Sequence, residues 1–289
     1  MNVKRRLGVH TSIAGGLQMS LERARELGCN TMQIFSHNPR GWEVKNKGTE
    51  ELAVFSETRQ KYDISPVFVH TSYLINLASG NPALARRSMD MVVHELDIAD
   101  SIGAEYVVLH TGSASGEDAG IARKRAIACL SEVAKQGQWQ AGLLLENTAG
   151  ERGDITSRIE ELSEIMEKVS GRLIAGICID TCHAFSAGYD IGSDDGIELL
   201  SDEIRKYIGK EKIRLLHLND AKGALGSGLD RHEHIGQGKI GIKGIRTLLN
   251  HQVFSDVSIV LETPKKSPDD DLENLKIVRK LLHKQEPLS

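Results

Sequence analysis

Two regimes of apolar and polar residues alternate along the chain. Short runs dense in Val, Ile and Leu are each followed by a longer stretch in which apolar residues recur every three or four positions. Eight runs read as strands: "RLGVH" (6–10), "TMQIFS" (31–36), "SPVFVH" (65–70), "EYVVLH" (105–110), "GLLLEN" (142–147), "AGICID" (175–180), "IRLLHL" (213–218) and "SIVLET" (258–263). Several are apolar at consecutive positions, the pattern of strands covered on both faces in a parallel sheet. The stretches between them read as helices. "LQMSLERARELG" (17–28) sets Leu17, Leu21, Ala24 and Leu27 near one face and closes on Gly28. "NPALARRSMDMVVHELDIADSIG" (81–103) opens on Asn-Pro, a cap and first-turn pair, and stops at Gly103. The same logic marks 154–171 and 269–284. With no linker, low-complexity tract or repeat between them, the alternations predict one (β/α)8 TIM barrel as a single catalytic domain over residues 1–289.

Active sites of such barrels form at the C-terminal ends of the strands. Reading those ends in order gives His10, Ser36, His70, His110, Glu146, Asp180, His217 and Glu262. The last six can all bind a metal, and a charge at the tip of a buried strand must be hydrated, paired or metal-bound. Further ligands follow in loops. His183 lies three places after Asp180, and "GLDRHEH" (228–234) offers Asp230 and His232. Residues two apart in an extended segment point the same way, so these two could hold one ion. His234 could replace His232, and spacing does not choose between them. Nine ligands exceed what one ion takes. Zinc takes about four nitrogen and oxygen ligands, so nine with one bridging carboxylate fit three zinc ions. Five imidazoles disfavour magnesium, while Mn²⁺ or Fe²⁺ could occupy some positions.

Composition narrows the setting. The chain is 40% apolar and 26% charged, as in soluble globular proteins. No apolar run approaches the ~20 residues that span a bilayer, and the basic N-terminus has no signal-type apolar core behind it. The four cysteines form no CxxC pair, which suggests a reducing cytoplasm. Cys178 and Cys182 are four apart, but Cys178 lies inside an apolar strand and reads as packing. A net charge of −4 argues against strong non-specific binding to nucleic acid. Three divalent ions would carry that charge to +2, with the positive field concentrated at the strand ends.

At these residues the sequence resembles the endonuclease IV family of zinc-dependent apurinic/apyrimidinic endonucleases. The stretches that carry it are "HTSYLINLA", "VVLHTG", "LLLENTAG", "IDTCHAFSAGYD", "LHLNDAKGALGSGLDRHEHIGQGKIG" and "LETP", and the likeness runs over essentially the whole chain. It implies one zinc on His70, His110 and Glu146. A second is implied on Glu146, Asp180, His217 and Glu262, and a third on His183, Asp230 and His232. It also implies a catalytic role for Glu146 and DNA contacts from Arg40, Tyr73 and Leu74. Around Arg40 the family varies, and this chain has His37, Pro39 and Gly41 there. The implied reaction cuts double-stranded DNA 5′ to abasic sites, leaving a 3′-hydroxyl and a 5′-deoxyribose phosphate. Abasic or 3′-blocked DNA is the expected partner of a monomeric enzyme. His10 and the "AGG" of 14–16 stand near the first strand end, where substrate phosphate would approach. Sugar isomerases and epimerases of the same barrel superfamily typically carry the set represented here by Glu146, Asp180, His217 and Glu262. A single-metal isomerase is therefore the alternative enzyme, and a zinc-dependent binder of damaged DNA the non-enzymatic one.

Overall fold

The eight apolar runs form eight parallel strands in the structure, a computed structural model that describes residues 5–44, 47–151 and 153–282. They are β1 (Leu7–Val9), β2 (Met32–Phe35), β3 (Val67–His70), β4 (Tyr106–Leu109), β5 (Gly142–Glu146), β6 (Ile174–Asp180) and β7 (Ile213–His217), with β10 (Ser258–Leu261) as the eighth. Between the last two, β8 (Asp220–Ala221) and β9 (His232–Glu233) make a small antiparallel ladder of their own. The hydrogen-bonded order is β1-β10-β7-β6-β5-β4-β3-β2. The remaining seam is joined at one bridge: His10 pairs with Gln33, and the Thr11 amide donates to the Gln33 carbonyl at 2.8 Å.

Helices α1 (Leu17–Glu26), α2 (Thr49–Lys61), α3 (Pro82–Ile102), α4 (Ala119–Gln136), α5 (Ile159–Lys168), α6 (Thr181–Ser186), α7 (Asp194–Tyr207), α8 (Gly241–Asn250) and α9 (Asp270–Leu282) fill the connections. Asn81 caps α3 as its sequence implies, its side chain accepting from the Ala83 and Leu84 amides. The helix expected over 154–171 is shorter at both ends. The Asp154 carboxylate accepts from the Gly150 and Glu151 amides and so closes a turn instead of starting a helix. The helix begins where Glu161 reaches back to the Arg158 amide at 3.0 Å. Of the helix expected over 269–284, the last two positions lie outside the described residues.

Strand side chains alternate between two packing environments. Outward residues such as Val69, Leu109, Leu145, Ile179 and Leu261 join the large core against the helices. Inward, Phe68, Val108, Leu144, Cys178, Leu215 and Val260 form a separate, fully buried cluster, one residue from each of six strands. That cluster fills the barrel, as the packed interior of this architecture requires.

Close strand packing depends on Gly176 in β6. A Cβ there would sit 2.1 Å from the Lys212 carbonyl oxygen, a backbone atom that can retreat only if the chain leading into β7 moves. Gly176→Ala should therefore lower stability by about 2–3 kcal/mol, read from the midpoint of urea unfolding.

Candidate metal centre

The polar rim follows from the same alternation. Two residues beyond each member of the inner apolar cluster, the next inward position is His70, His110, Glu146, Asp180, His217 or Glu262. All six sequence-expected strand ends therefore converge above one apolar floor. The expectation for β2 is different in detail. Ser36 does not join them; its hydroxyl lies 2.9 Å from Nδ1 of its neighbour His37. Gln33, from within the strand, takes that place.

Glu146 is the hub. It is fully buried, with Oε2 at 3.3 Å from His70 Nε2 and 3.2 Å from His110 Nε2. Its Oε1 lies 3.0 Å from His217 Nδ1 and 3.3 Å from His183 Nδ1. Each oxygen thus faces two imidazoles. Glu262 Oε2 is 3.4 Å from His217 Nδ1, and Asp180 Oδ2 is 4.0 Å from the same atom.

The loop residues arrive by identifiable means. The Asp180 carboxylate caps the short helix that follows it, accepting from the His183 amide at 2.8 Å, which turns His183 back over the rim. There His183 Nε2 meets Asp230 Oδ1 at 3.2 Å. His232 is held by the β8–β9 ladder opposite Ala221, and its Nδ1 is 3.1 Å from the Glu262 carbonyl oxygen. Its Nε2 therefore faces inward, 3.6 Å from Asp230 Oδ1 and 3.5 Å from Asp180 Oδ2. His234 is turned elsewhere, its Nδ1 3.0 Å from the Asn274 amide nitrogen.

Three donor sets result, each with its ligand atoms within 4.8 Å of one another: His70, His110 and Glu146; Glu146, Asp180, His217 and Glu262; His183, Asp230 and His232. His232 Nε2 is buried with no hydrogen-bond partner, as a ligand atom awaiting a cation would be. The nitrogen and oxygen donors fit divalent zinc-type ions, and the glutamate shared between two sets fits a bridge. Cys178 and Cys182 also lie within 4.8 Å of members of the cluster, a proximity their spacing alone did not reveal. Burial pushes both thiols up to about 12, so each meets the metal-free site as a neutral thiol.

Charges on these groups depend on each other. Burial alone would raise the Glu146 and Glu262 carboxyls. His110 and His217 override it at Glu146, and His217 with His10 and His70 at Glu262, so both are held well below the usual range. Asp230 falls to about 2, the nearby His183, His232 and His110 outweighing its burial. Burial would lower His110, His183 and His217, but the carboxylates, and at His217 the neighbouring Cys178 ahead of them, hold all three above the ordinary imidazole value. His10 is lowered, because burial there outweighs its contact with Glu262. In the metal-free site, protons on imidazoles thus balance the carboxylates that a dication would otherwise balance.

Three amides that sequence reasoning did not single out order the cluster. Gln33 is fully buried; its Oε1 is 2.8 Å from His217 Nε2, while its Nε2 lies 2.6 Å from Glu262 Oε1 and 2.9 Å from His10 Nδ1. Asn219 donates to Asp180 Oδ2 at 2.7 Å and accepts from the Glu262 amide. Asn147 brackets the Asp180 backbone, accepting from its amide and donating to its carbonyl. A polar residue interrupting "TMQIF" and asparagines beside Glu146 and His217 were the available signals.

Arg40, Tyr73 and Leu74 lie on the two loops at this rim. Tyr73 is 63% exposed, its ring edge-on to Phe35 with centroids 5.3 Å apart. Arg40 is exposed and Leu74 half-buried. The Pro39 carbonyl ties the loops together, accepting from the Tyr73 amide at 3.2 Å and the Ser72 hydroxyl at 2.8 Å.

Comparison with known proteins places this arrangement. Residues 21–282 match the family described as Xylose isomerase-like TIM barrel. The chain is 41% identical over 276 residues to probable endonuclease 4 of Halothermothrix orenii, covering 95% of this chain and 99% of that one. The chain belongs to the endonuclease IV family. A crystal structure of endonuclease IV from Thermus thermophilus aligns with a TM-score of 0.84 at 35% identity, covering 96% of this chain and 98% of that one. A D-tagatose 3-epimerase-like protein also aligns, with a TM-score of 0.71 at 20% identity over 96% and 97% of the two chains, which shows the shared barrel alone. Among the described residues, no helix of this endonuclease IV family chain is long and apolar enough to cross a membrane.

Gln33→Ala should weaken metal binding by about 10–100-fold without unfolding the barrel, because it frees His217 and Glu262 at once. Chelator competition measures this. The same competition run with the parent at lower pH should show weaker uptake, since protons held by His110, His183 and His217 must leave before metal enters.

Proposed function

We propose that this chain is a DNA-repair endonuclease that hydrolyses the phosphodiester 5′ to abasic sites, leaving a 3′-hydroxyl and a 5′-deoxyribose phosphate. It acts as one catalytic domain and as a monomer, with three zinc ions distributed over the three donor sets. The observation that carries this reading is the third set, His183 with Asp230 and His232, in a chain of the endonuclease IV family. A one-metal isomerase is served by the four strand-end residues Glu146, Asp180, His217 and Glu262 and has no evident use for the other five.

Bound zinc would screen the anionic phosphate, lower the pKa of water and stabilise the leaving oxygen. The chain's own residues supply the rest. Glu146 offers one oxygen to the His70–His110 side and the other to the His217 side, so it sets the spacing of the first two donor sets. Asp180 orients His183, and His183 in turn positions Asp230 at the outer edge. Neither a serine nor a cysteine nucleophile is required, in keeping with neutral thiols at Cys178 and Cys182. Tyr73, Leu74 and Arg40 enter the duplex where a base is missing, because an unstacked nucleotide costs less to extrude and leaves a gap to fill.

Incision of an abasic oligonucleotide, with and without prolonged chelation, tests the reaction; the parent should cut, and the stripped protein should not. Glu146→Gln should lose roughly a thousandfold or more in kcat while staying folded, because an amide cannot neutralise two cations. Near-parental turnover would remove Glu146 from its role.

The double change Asp230→Ala with His232→Ala should lower metal content by about one ion per chain and slow cleavage more than it weakens DNA binding. Elemental analysis of the purified variant decides this; unchanged content would make "DRHEH" a solvated loop.

Tyr73→Ala and Arg40→Ala should leave metal content intact but reduce affinity for abasic duplex by roughly tenfold, the effect of losing ~1–3 kcal/mol of stacking. Affinity for intact duplex should change less, so the ratio of the two is the diagnostic. A parental ratio in both variants would return these residues to ordinary loop packing.

A further inference from the structure

A second buried charge lies outside the metal centre, beneath the loop that carries Arg40. Glu95, in α3, is fully buried. Its Oε1 is 3.2 Å from Nδ1 of His37, a side chain only 8% exposed. Both Glu95 oxygens and His37 Nε2 lack well-formed hydrogen bonds. Among the described residues, no lysine or arginine pairs with Glu95; His37 is the basic side chain beside it. The other groups facing His37 are the Ser36 hydroxyl on its own loop and His94 on α3, whose ring centroid is 6.3 Å away, with Asp97 beyond His94 on the same helix. A carboxylate so placed must be neutralised. The His37 imidazole is the group placed to do so, and removing it leaves the buried carboxylate without a basic neighbour.

The segment that starts at His37 is fastened along its length. Pro39 is bonded to Ser72 and Tyr73, and the Arg87 guanidinium of α3 stands 4.6 Å over the Trp42 ring. Helix α3 thus grips the loop at His37 and at Trp42, with Arg40 between the two grips.

We propose that His37 and Glu95 are positioning residues for DNA engagement: their pairing pins segment 37–42, and through Pro39 it sets Tyr73 as well as Arg40. This rests on the DNA-contact role given to Arg40 and Tyr73 above. Lysine at position 37 would supply a cation beside Glu95, whereas glutamine would supply none.

The chain has two tryptophans, so Trp139→Phe leaves Trp42 as the sole reporter of this loop. Acrylamide quenching of Trp42 in the metal-loaded, DNA-free protein should increase about twofold in His37→Gln and stay parental in His37→Lys. On abasic duplex, His37→Gln should raise KM about tenfold with kcat within about twofold, and His37→Lys should restore KM. Identical behaviour of the glutamine and lysine variants overturns the proposal, as does a loss of kcat at unchanged KM. If the parent cuts no abasic duplex while Trp42 quenching still rises in His37→Gln and not in His37→Lys, the pinned loop is supported and the proposed function is overturned. If the parent cuts but Trp42 quenching in His37→Gln stays parental, the pairing alone is overturned.

Discussion

The two-residue period of a β-strand is the constraint on which this molecule rests. An inward side chain two places before the strand end must be apolar, because it packs against five others at the centre of the barrel. The next inward side chain stands at the rim, where polar chemistry is tolerated. Phe68 and His70, Val108 and His110, Leu144 and Glu146, Cys178 and Asp180, Leu215 and His217, Val260 and Glu262 are six repetitions of one arrangement. The core and the site are therefore successive layers of the same six strands. A one-residue slip in any strand would send its ligand to the helix side.

Within the rim, the groups satisfy one another. Carboxylates at the end of a dry barrel would be costly alone, and so would imidazolium groups. Glu146 meets four imidazoles; His110, His217 and His183 favour its charged form, and it favours theirs in turn. The amides of Gln33, Asn147 and Asn219 hold this network in one geometry, using oxygen and nitrogen atoms that strand pairing leaves free. The stability of the metal-free site and its readiness for cations come from the same contacts.

The strands were readable because each is a dense apolar run between polar turns, and their observed limits fall within a residue or two of the quoted runs. The rim was readable because strand ends are positions where architecture converts a local pattern into a shared location. What escaped was whatever depends on contacts across the barrel. Nothing in "TMQIF" says that Gln33 reaches a histidine 184 positions away. The choice between His232 and His234 was open to spacing, since both alternate with polar neighbours; pairing with Ala221 and the grip of Asn274 on His234 make the distinction. The start of α5 was misplaced because Asp154 is a good cap by composition but spends its oxygen on its own turn. The nearness of Cys182 to the rim and the His37–Glu95 contact were likewise invisible, since both depend on which loop lies over which helix.

The apolar cluster under the rim also shapes traffic. Six packed, fully buried side chains stop up the barrel beneath the rim, so the site is closed from below. Water, ions and any chelator therefore approach from the rim side, which Tyr73 and Arg40 border. A macromolecule settled over that rim would be its lid, and any cation held beneath it would exchange with solvent only when the lid lifts.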